Sequence, residues 1–254
     1  MVTTSTLIPL PNIPLIRPGD DLAALILASA RGIDLRLTNQ DIILIAQKIV
    51  SKAENCFVRL AEVTPSPRAL ELAEITGKAA AHIEVILGDT AEIIRARRDV
   101  LIVQHKLGFI SANAGVDHSN VSGEGGVLLR LPPDPDASAR TIRTRLAELS
   151  GVRPPVLIID SHGRPWRFGT VGVTIGLSGL APVQDLRGQP DLFGEPLQIT
   201  EVGWADQLAG AASLVMGQAA EGCPVVVARG FEFTPDETAT AAAVQRPKER
   251  DLFR

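Results

Sequence analysis

The residues of this chain best suited to chemistry are oxygen donors and cations. Asp117 stands alone in "NAGVDHSN", with Asn120 three positions on. Asp160 and Ser161 follow the apolar run "VLII", and Gln218 comes just before the Gly222 turn at the end of a predicted last helix. Each lies where an apolar element ends, so that side chains from separate segments can converge. Hard divalent ions such as magnesium or manganese take oxygen ligands, few from protein and the rest from phosphate and water. One Asp from each of two loops, with a hydroxyl and an amide oxygen, suits that arrangement. Taken singly the residues have plainer uses: Asp160-Ser161 could open a turn into "HGRPWR", and Asp117 could cap local backbone. Lys48 and Lys52 in "QKIVSK" sit four apart, on one face of a helical turn. Either could neutralise a phosphate, and together they could equally form a solvated surface pair.

Other chemistries are poorly supplied. The two cysteines, Cys56 and Cys223, are flanked by apolar residues and read as small buried hydrophobes of a reducing compartment. His82 lies in a helical pattern, and His105, His118 and His162 lack ligand spacing. The sequence has no HExxH or CxxC, no GxxxxGK[ST], and no GxGxxG between a strand and a helix. A nucleotide, if bound, is therefore not held on a P-loop or dinucleotide-binding scaffold. Net charge is −4 and the pI about 5.6, which argues against a nucleic-acid footprint. Aromatic residues make up only 4%, so ring stacking is a poor candidate for recognition. No apolar run approaches a membrane span, and "MVTTSTLIPLPNIPLI" lacks a basic start, so a cytoplasmic protein is expected.

The elements that must position these residues are legible in outline. Leu7 to Ile16, cut by Pro9, Pro11 and Pro14, reads as an edge strand or loop. Asp20 or Asp21 caps a helix that Gly32 ends. "DIILIA" is an apolar strand that turns polar at Gln47. Ser66 to about Arg98 reads as helical, broken near Gly77 and Gly88, and "VLIVQH" as a buried strand. "PDASARTIRTRLAELSG" is a helix with Asp136 or Ser138 near its cap and Gly151 as its stop. "PPVLIIDS" is a strand ending on Asp160. From Trp166 to Gln184 the glycine-dense strands bend sharply or admit another backbone closely. A last helix over Asp206–Glu221 leads into "CPVVVARGF", and the tail from Thr234 is loosely held. The order of elements is mixed, giving an α+β fold with mixed sheets and flanking helices.

Several motifs occur in one order: "IPLIRPGDDL", "QKIVSKAE", "GFISANAGVDHSNV" followed by "LLRLPPDPDASA", "IIDSHGRPWRFGTVGVTIG" and "GQAAEGCPVVVARG". Together they resemble the coenzyme F420-0 gamma-glutamyl ligase family over about Ile13 to Gly230. The resemblance implies a family-specific fold, an intertwined homodimer, and a ligase domain over 1–233 followed by a polar tail over 234–254. It implies GTP-dependent, GDP-forming addition of L-glutamate to the coenzyme F420 precursor, then γ-linked extension, with Mn2+ or Mg2+ required and K+ assisting. By position it implies nucleotide contacts at Ile13, Pro14, Leu15, Ile16, Gln47, Lys52 and Asn120. It implies the same for the segment Met216, Gly217, Gln218, Ala219, Ala220, Glu221, Gly222 and Cys223. Metal ligands fall at Asp117, Asp160, Ser161 and Gln218, and the catalytic set at Lys52, Asp117 and Asp160. Gln47 and Ser161 depart from the family's usual Ser and Thr. No reductase-like domain of the actinobacterial kind follows, so a ligase-only protein is implied. A folate or pterin acceptor, or a non-catalytic nucleotide-binding dimer, are the alternatives.

The loop "SANAGVDHSNVSGEGGVLLR" is then a place where small residues let a triphosphate and its cation come close to the backbone. Asp117 would offer charge to the cation and Asn120 a hydrogen bond to the nucleotide.

Overall fold

The computed structural model describes residues 4–123 and 125–252. The first part of the chain forms β1 (Thr6–Pro9), α1 (Leu22–Gly32), β2 (Ile42–Ala46), α2 (Gln47–Ala53) and β3 (Phe57–Arg59). Next come α3 (Pro67–Thr76), α4 (Ala80–Asp89), the meander β4 (Thr90–Arg97), β5 (Val100–His105) and β6 (Ile110–Ala112), and then β7 (Val127–Leu129). After α5 (Pro135–Ser150) follow the long hairpin β8 (Val156–Arg164) and β9 (Arg167–Ser178), the short pair β10 (Gln184–Asp185) and β11 (Glu201–Val202), α6 (Trp204–Met216) and β12 (Val225–Arg229).

The main sheet has five strands in the order β1-β12-β2-β8-β9, parallel only between β2 and β8. Its centre is apolar on both faces: Ile42 to Ile45 are fully buried, so this strand shows a continuous apolar run rather than alternation. Ile43, Ile45, Ile158 and Val227 pack with α1 and α5, whereas Ile42, Leu44, Leu157 and Val226 pack with α6. A separate core joins α3 and α4 to β5 and Leu128 of β7. The architecture is mixed α+β, as expected. Among the described residues no helix is long and apolar enough to cross a membrane.

Glycines of β9 admit close neighbours from both faces. A Cβ on Gly172 would stand 2.3 Å from the backbone oxygen of Ala209 in α6, and one on Gly176 would stand 2.5 Å from Pro135 at the start of α5. The register slips between Ile158 and Ile159, whose partners are Gly176 and Thr174. That slip leaves Ile175 as an extra residue and turns the two glycines to opposite faces.

Several expected boundaries are corrected. The helical reading of Ser66 to Arg98 holds only to Asp89; Thr90–Arg97 is β4. Two register shifts in its pairing with β5 break the two-residue alternation that would mark a strand. The cap of α5 is Asp134, which accepts from Ala137 N at 2.9 Å ahead of Pro135. Asp136 instead accepts from Leu177 N and Ala241 N, tying helix, sheet and tail together. The strand over Asp160 does not end there but runs on to Arg164. The last helix ends at Met216 rather than Glu221. The tail is not loose at its start: Ala241 is buried, and Glu237 receives both ends of the buried Arg143 guanidinium at 2.6 and 2.8 Å.

Candidate active site

Strand β2 passes into α2 with no intervening loop, because Ala46 keeps extended angles and Gln47 already starts the helix. The first residues of α2 therefore stand on the rim of the sheet. Parallel pairing of Ala46 with Ile159 brings Asp160 to the same rim. Antiparallel pairing of Ile45 with Val225 brings the segment before β12 there too, and Ala46 N donates to Pro224 O at 2.8 Å. On the far side of β12, Leu10 N donates to Val225 O, so the chain over Ile13–Ile16 leaves from this end as well. Topology alone thus gathers four distant segments singled out in the sequence.

Asp117 reaches the rim from the second layer. Asn113, Ala114 and Gly115 take left-handed φ values of 53°, 53° and 68° in succession. Such a turn is strained for the two residues with a Cβ. At Gly115 a Cβ would meet the Leu131 side chain at 2.8 Å, so the position favours glycine twice over. Past the turn, Asp117 exchanges backbone hydrogen bonds with Leu129 at 2.8 and 3.0 Å, which fixes its main chain beside β7.

The Asp117 side chain is held from α2. Gln47 Nε2 donates to its Oδ2 at 2.6 Å, and Ser51 Oγ donates to Gln47 Oε1 at 2.9 Å, setting the amide's orientation. Lys48 Nζ lies 3.5 Å from the same carboxylate and donates to Ser119 O at 2.8 Å. Burial pushes the Asp117 carboxyl above its ordinary range, and the charge of Asp160 pushes the same way against the pull of Lys48. Lys52 is driven below the usual lysine range, first by burial and then by Lys48, with Asp117 opposing. Two acids and two ammonium groups thus feel one another across a partly dry rim.

Asp160 and Ser161 are neighbours on β8 and so point to opposite faces. Because β2 ends its pairing at Ala46, the edge of β8 facing it carries no partner strand from Asp160 onward, and both side chains flank that edge. His162 Nε2 lies 3.0 Å from Asp160 Oδ2.

The segment from Met216 to Cys223 crosses the rim as an irregular loop. Gly217 sits at φ 73°, ψ −179°, a region open in practice only to glycine, and a Cβ there would strike the Glu221 carboxylate. Glu221 accepts from Ala219 N at 2.7 Å, and Asn120 Nδ2 donates to Ala219 O at 2.8 Å. Asn120 therefore stitches the Asp117 loop to this one. Gln218 is on the loop, not on the helix as expected, and its Nε2 donates to Ser213 Oγ at 3.0 Å. Met216 is buried and Cys223 half-buried, its thiol raised by burial, whereas Ala220 and Gly222 are exposed. Ile16 is buried, Ile13 packs partly on the core, and Pro14 and Leu15 face solvent.

Sequence reasoning left Lys48 as one of two alternatives and assigned nothing to His162. The signal for His162 was its spacing of two from Asp160, which on a strand means one face. It was hidden because the strand was expected to stop at Asp160. Gln47 is 3% exposed with both ends of its amide engaged, so here it serves as the scaffold of Asp117.

Among the described residues no three His, Cys, Asp or Glu side chains cluster as a metal site. The rim instead brings the carboxylates of Asp117 and Asp160 within electrostatic reach of each other and of Lys48, with Lys52 beside them. A sheet rim carrying two carboxylates and two lysines on an α+β scaffold is the class these features define. The chain belongs to the F420-0:Gamma-glutamyl ligase family, which it matches over residues 11–230. It is similar to the coenzyme F420:L-glutamate ligase of Methanothermobacter thermautotrophicus, with 45% identity over 250 residues and 98% of each chain covered. The protein of that name from Methanopyrus kandleri is 47% identical over 249 residues, covering 97% of this chain and 96% of the relative. The one from Methanocaldococcus jannaschii is 44% identical over 214 residues, 84% of each.

Proposed function

We propose that this chain is a GTP-dependent coenzyme F420:L-glutamate ligase, which joins L-glutamate to the carboxylate of the F420 precursor and then extends a γ-linked tail. The observation that carries the reading is the meeting of Asp117, Asp160, Lys48 and Lys52 at one sheet rim, in a chain nearly half identical to ligases of that name. Asp117, Asp160 and Gln218 would hold Mn2+ or Mg2+. Ser161, on the other face of β8, would serve a different ion if both neighbours ligate through side chains, and K+ is the candidate. A bound divalent cation would offset negative charge on the phosphoryl oxygens.

In this reading the acceptor carboxylate attacks the γ-phosphorus of GTP, the bond to the β-phosphate oxygen breaks, and GDP leaves. The glutamate amine then attacks the acyl phosphate carbonyl, phosphate departs, and the amine's proton goes to solvent or phosphate. The chain's own residues position and compensate charge; no side chain needs to act as a nucleophile. Lys52, half-buried and held below its usual range, supplies a fixed positive charge that an incoming phosphate would stabilise. Asn120 and the Met216 to Cys223 loop would cover the nucleotide from one side and Ile13 to Ile16 from the other. The proposal includes a homodimer, because the hairpin tip holds Trp166 and Phe168 at 86% and 104% exposure, which a second copy would cover.

Incubating the purified protein with the precursor, GTP, Mn2+ and L-glutamate tests the activity. Mass spectrometry should show successive glutamate additions matched by phosphate release. No product above a GTP-free control would end this reading, and turnover of a folate or pterin instead would redirect the acceptor.

A further inference from the structure

We propose that His162 is a positioning residue for Asp160, fixing one carboxylate oxygen so that the other is presented at the open edge of β8. This rests on the cation-dependent reading above.

Asp160 and His162 lie two apart on one strand and so share a face. Their side chains are only 14% and 10% exposed, and the carboxylate, an acceptor only, takes the imidazole N–H at 3.0 Å. Among the described residues this is the hydrogen bond that reaches the Asp160 side chain, and it engages Oδ2 alone. Oδ1 remains for a ligand.

What fixes the imidazole is the core. Phe109, buried in the main cluster, meets the His162 ring at 5.0 Å between centroids with a 47° tilt. Phe109 also stacks on His105 at 4.9 Å and 15°, and Leu107 N donates to His105 Nδ1 at 2.9 Å. The Asp160 rotamer is therefore tied through two ring contacts to the β5–β6 turn. A carboxylate on the exposed half of a hairpin would otherwise sample several rotamers, and each would have to be given up on binding a cation. Hydrogen-bond partners of metal-ligating groups characteristically act in this way.

The rival is that His162 merely fills space beneath the hairpin. His162→Phe keeps a ring against Phe109 and removes the donor. His162→Gln restores a donor at similar reach, and His162→Asn offers one that falls short. Mn2+ binding, read by electron paramagnetic resonance without substrates, should weaken about 10- to 100-fold in the Phe variant. The Asn variant should behave alike, and the Gln variant should recover most of the loss. Melting temperatures in chelator should stay close together. Wild-type Mn2+ affinity in His162→Phe, or a Gln variant no better than Asn, overturns the inference. Should the Phe variant not fold, the contrast between Gln and Asn decides alone. Asp160→Asn separates the two levels: if it abolishes Mn2+ binding while His162→Phe does not, only the inference fails. If Asp160→Asn binds Mn2+ normally, the cation reading falls and the inference with it.

Discussion

Strand β2 has an aspartate near each end, and the two are treated differently. Before its first residue, Asp41 is fully buried. It accepts from the Arg229 guanidinium at 2.7 and 2.8 Å and from Thr38 N at 2.7 Å. Beyond its last residue, Asp117 is a quarter exposed, receives one amide hydrogen, and has its ammonium partner at 3.5 Å. The first is a closed pair in which charge and hydrogen bonds are matched. The second carries a neighbouring carboxylate that works against it. One end of β2 thus closes its carboxylate with a matched guanidinium, whereas at the other end burial first, and then the charge of Asp160, hold the Asp117 carboxyl up against the pull of Lys48.

The sharpest way to break this contrast is to remove the charge of Asp117. The folded protein raises the Asp117 carboxyl above its unfolded value of about 3.8, so the folded state binds that proton more tightly. Its contribution to stability is then full below the unfolded value and is lost as pH rises through the folded one. At neutral pH the ionised side chain works against the cation-free fold. Asp117→Asn should therefore lower GTP-dependent glutamate addition by at least about 100-fold, the scale of losing one charge-stabilising group. It should also raise the melting temperature in chelator, with the gain shrinking as the pH is lowered. A loss of activity together with a lower melting temperature would make Asp117 a structural residue like Asp41.

The other end should respond in the opposite sense. Arg229→Ala leaves Asp41 buried without its partner, which costs about 3 kcal/mol, the low end of the range because the Arg229 side chain is 38% exposed. Denaturant unfolding should show that loss, while turnover per folded molecule stays at the wild-type level. A fall in turnover under conditions where the variant is fully folded would show that the two ends of β2 are coupled.

The same contrast explains what could be read before any coordinates. The apolar run Ile42 to Ile45, the helix ended by Gly151 and the glycine-dense β9 are local signals, and they survive in the structure. Asp117, Asp160 and Gln218 were found because polar groups at the ends of apolar elements are conspicuous. Their convergence was an expectation without a mechanism; what brings Asp160 and the loop before β12 to one rim is β2 pairing parallel to β8 and antiparallel to β12, which are contacts between distant segments. The bulged β4 and the run of β8 past Asp160 escaped for a related reason. Register is set by the partner strand, and a sequence shows only one strand at a time. His162 was lost along with that extension, and Lys48 could not be told from a solvated lysine until Ser119 O and Asp117 stood beside it.

A smaller effect probes how the rim is assembled. Asn120 has a left-handed φ of 56°, which asparagine tolerates better than most residues, and its amide donates to Ala219 O across the rim. Asn120→Gly keeps the backbone angle and deletes that bond, whereas alanine would mix both effects. The bond is exposed, so its net worth is about 0.5–1.5 kcal/mol, and global stability should fall by no more than that. Its consequence should instead be local. Freed from Asn120, the loop from Gly217 to Gly222 keeps its Glu221 contact but loses its tie to the Asp117 loop. Hydrogen exchange should rise over both loops and leave β12 unchanged. If the proposed nucleotide site is right, the KM for GTP should rise several-fold while kcat falls less, because the group lost ties two loops together rather than carrying charge. Equal losses in both parameters would place Asn120 with Asp117 among the charge-handling residues, and the boundary between scaffold and charged rim would have to be redrawn three residues further along the loop.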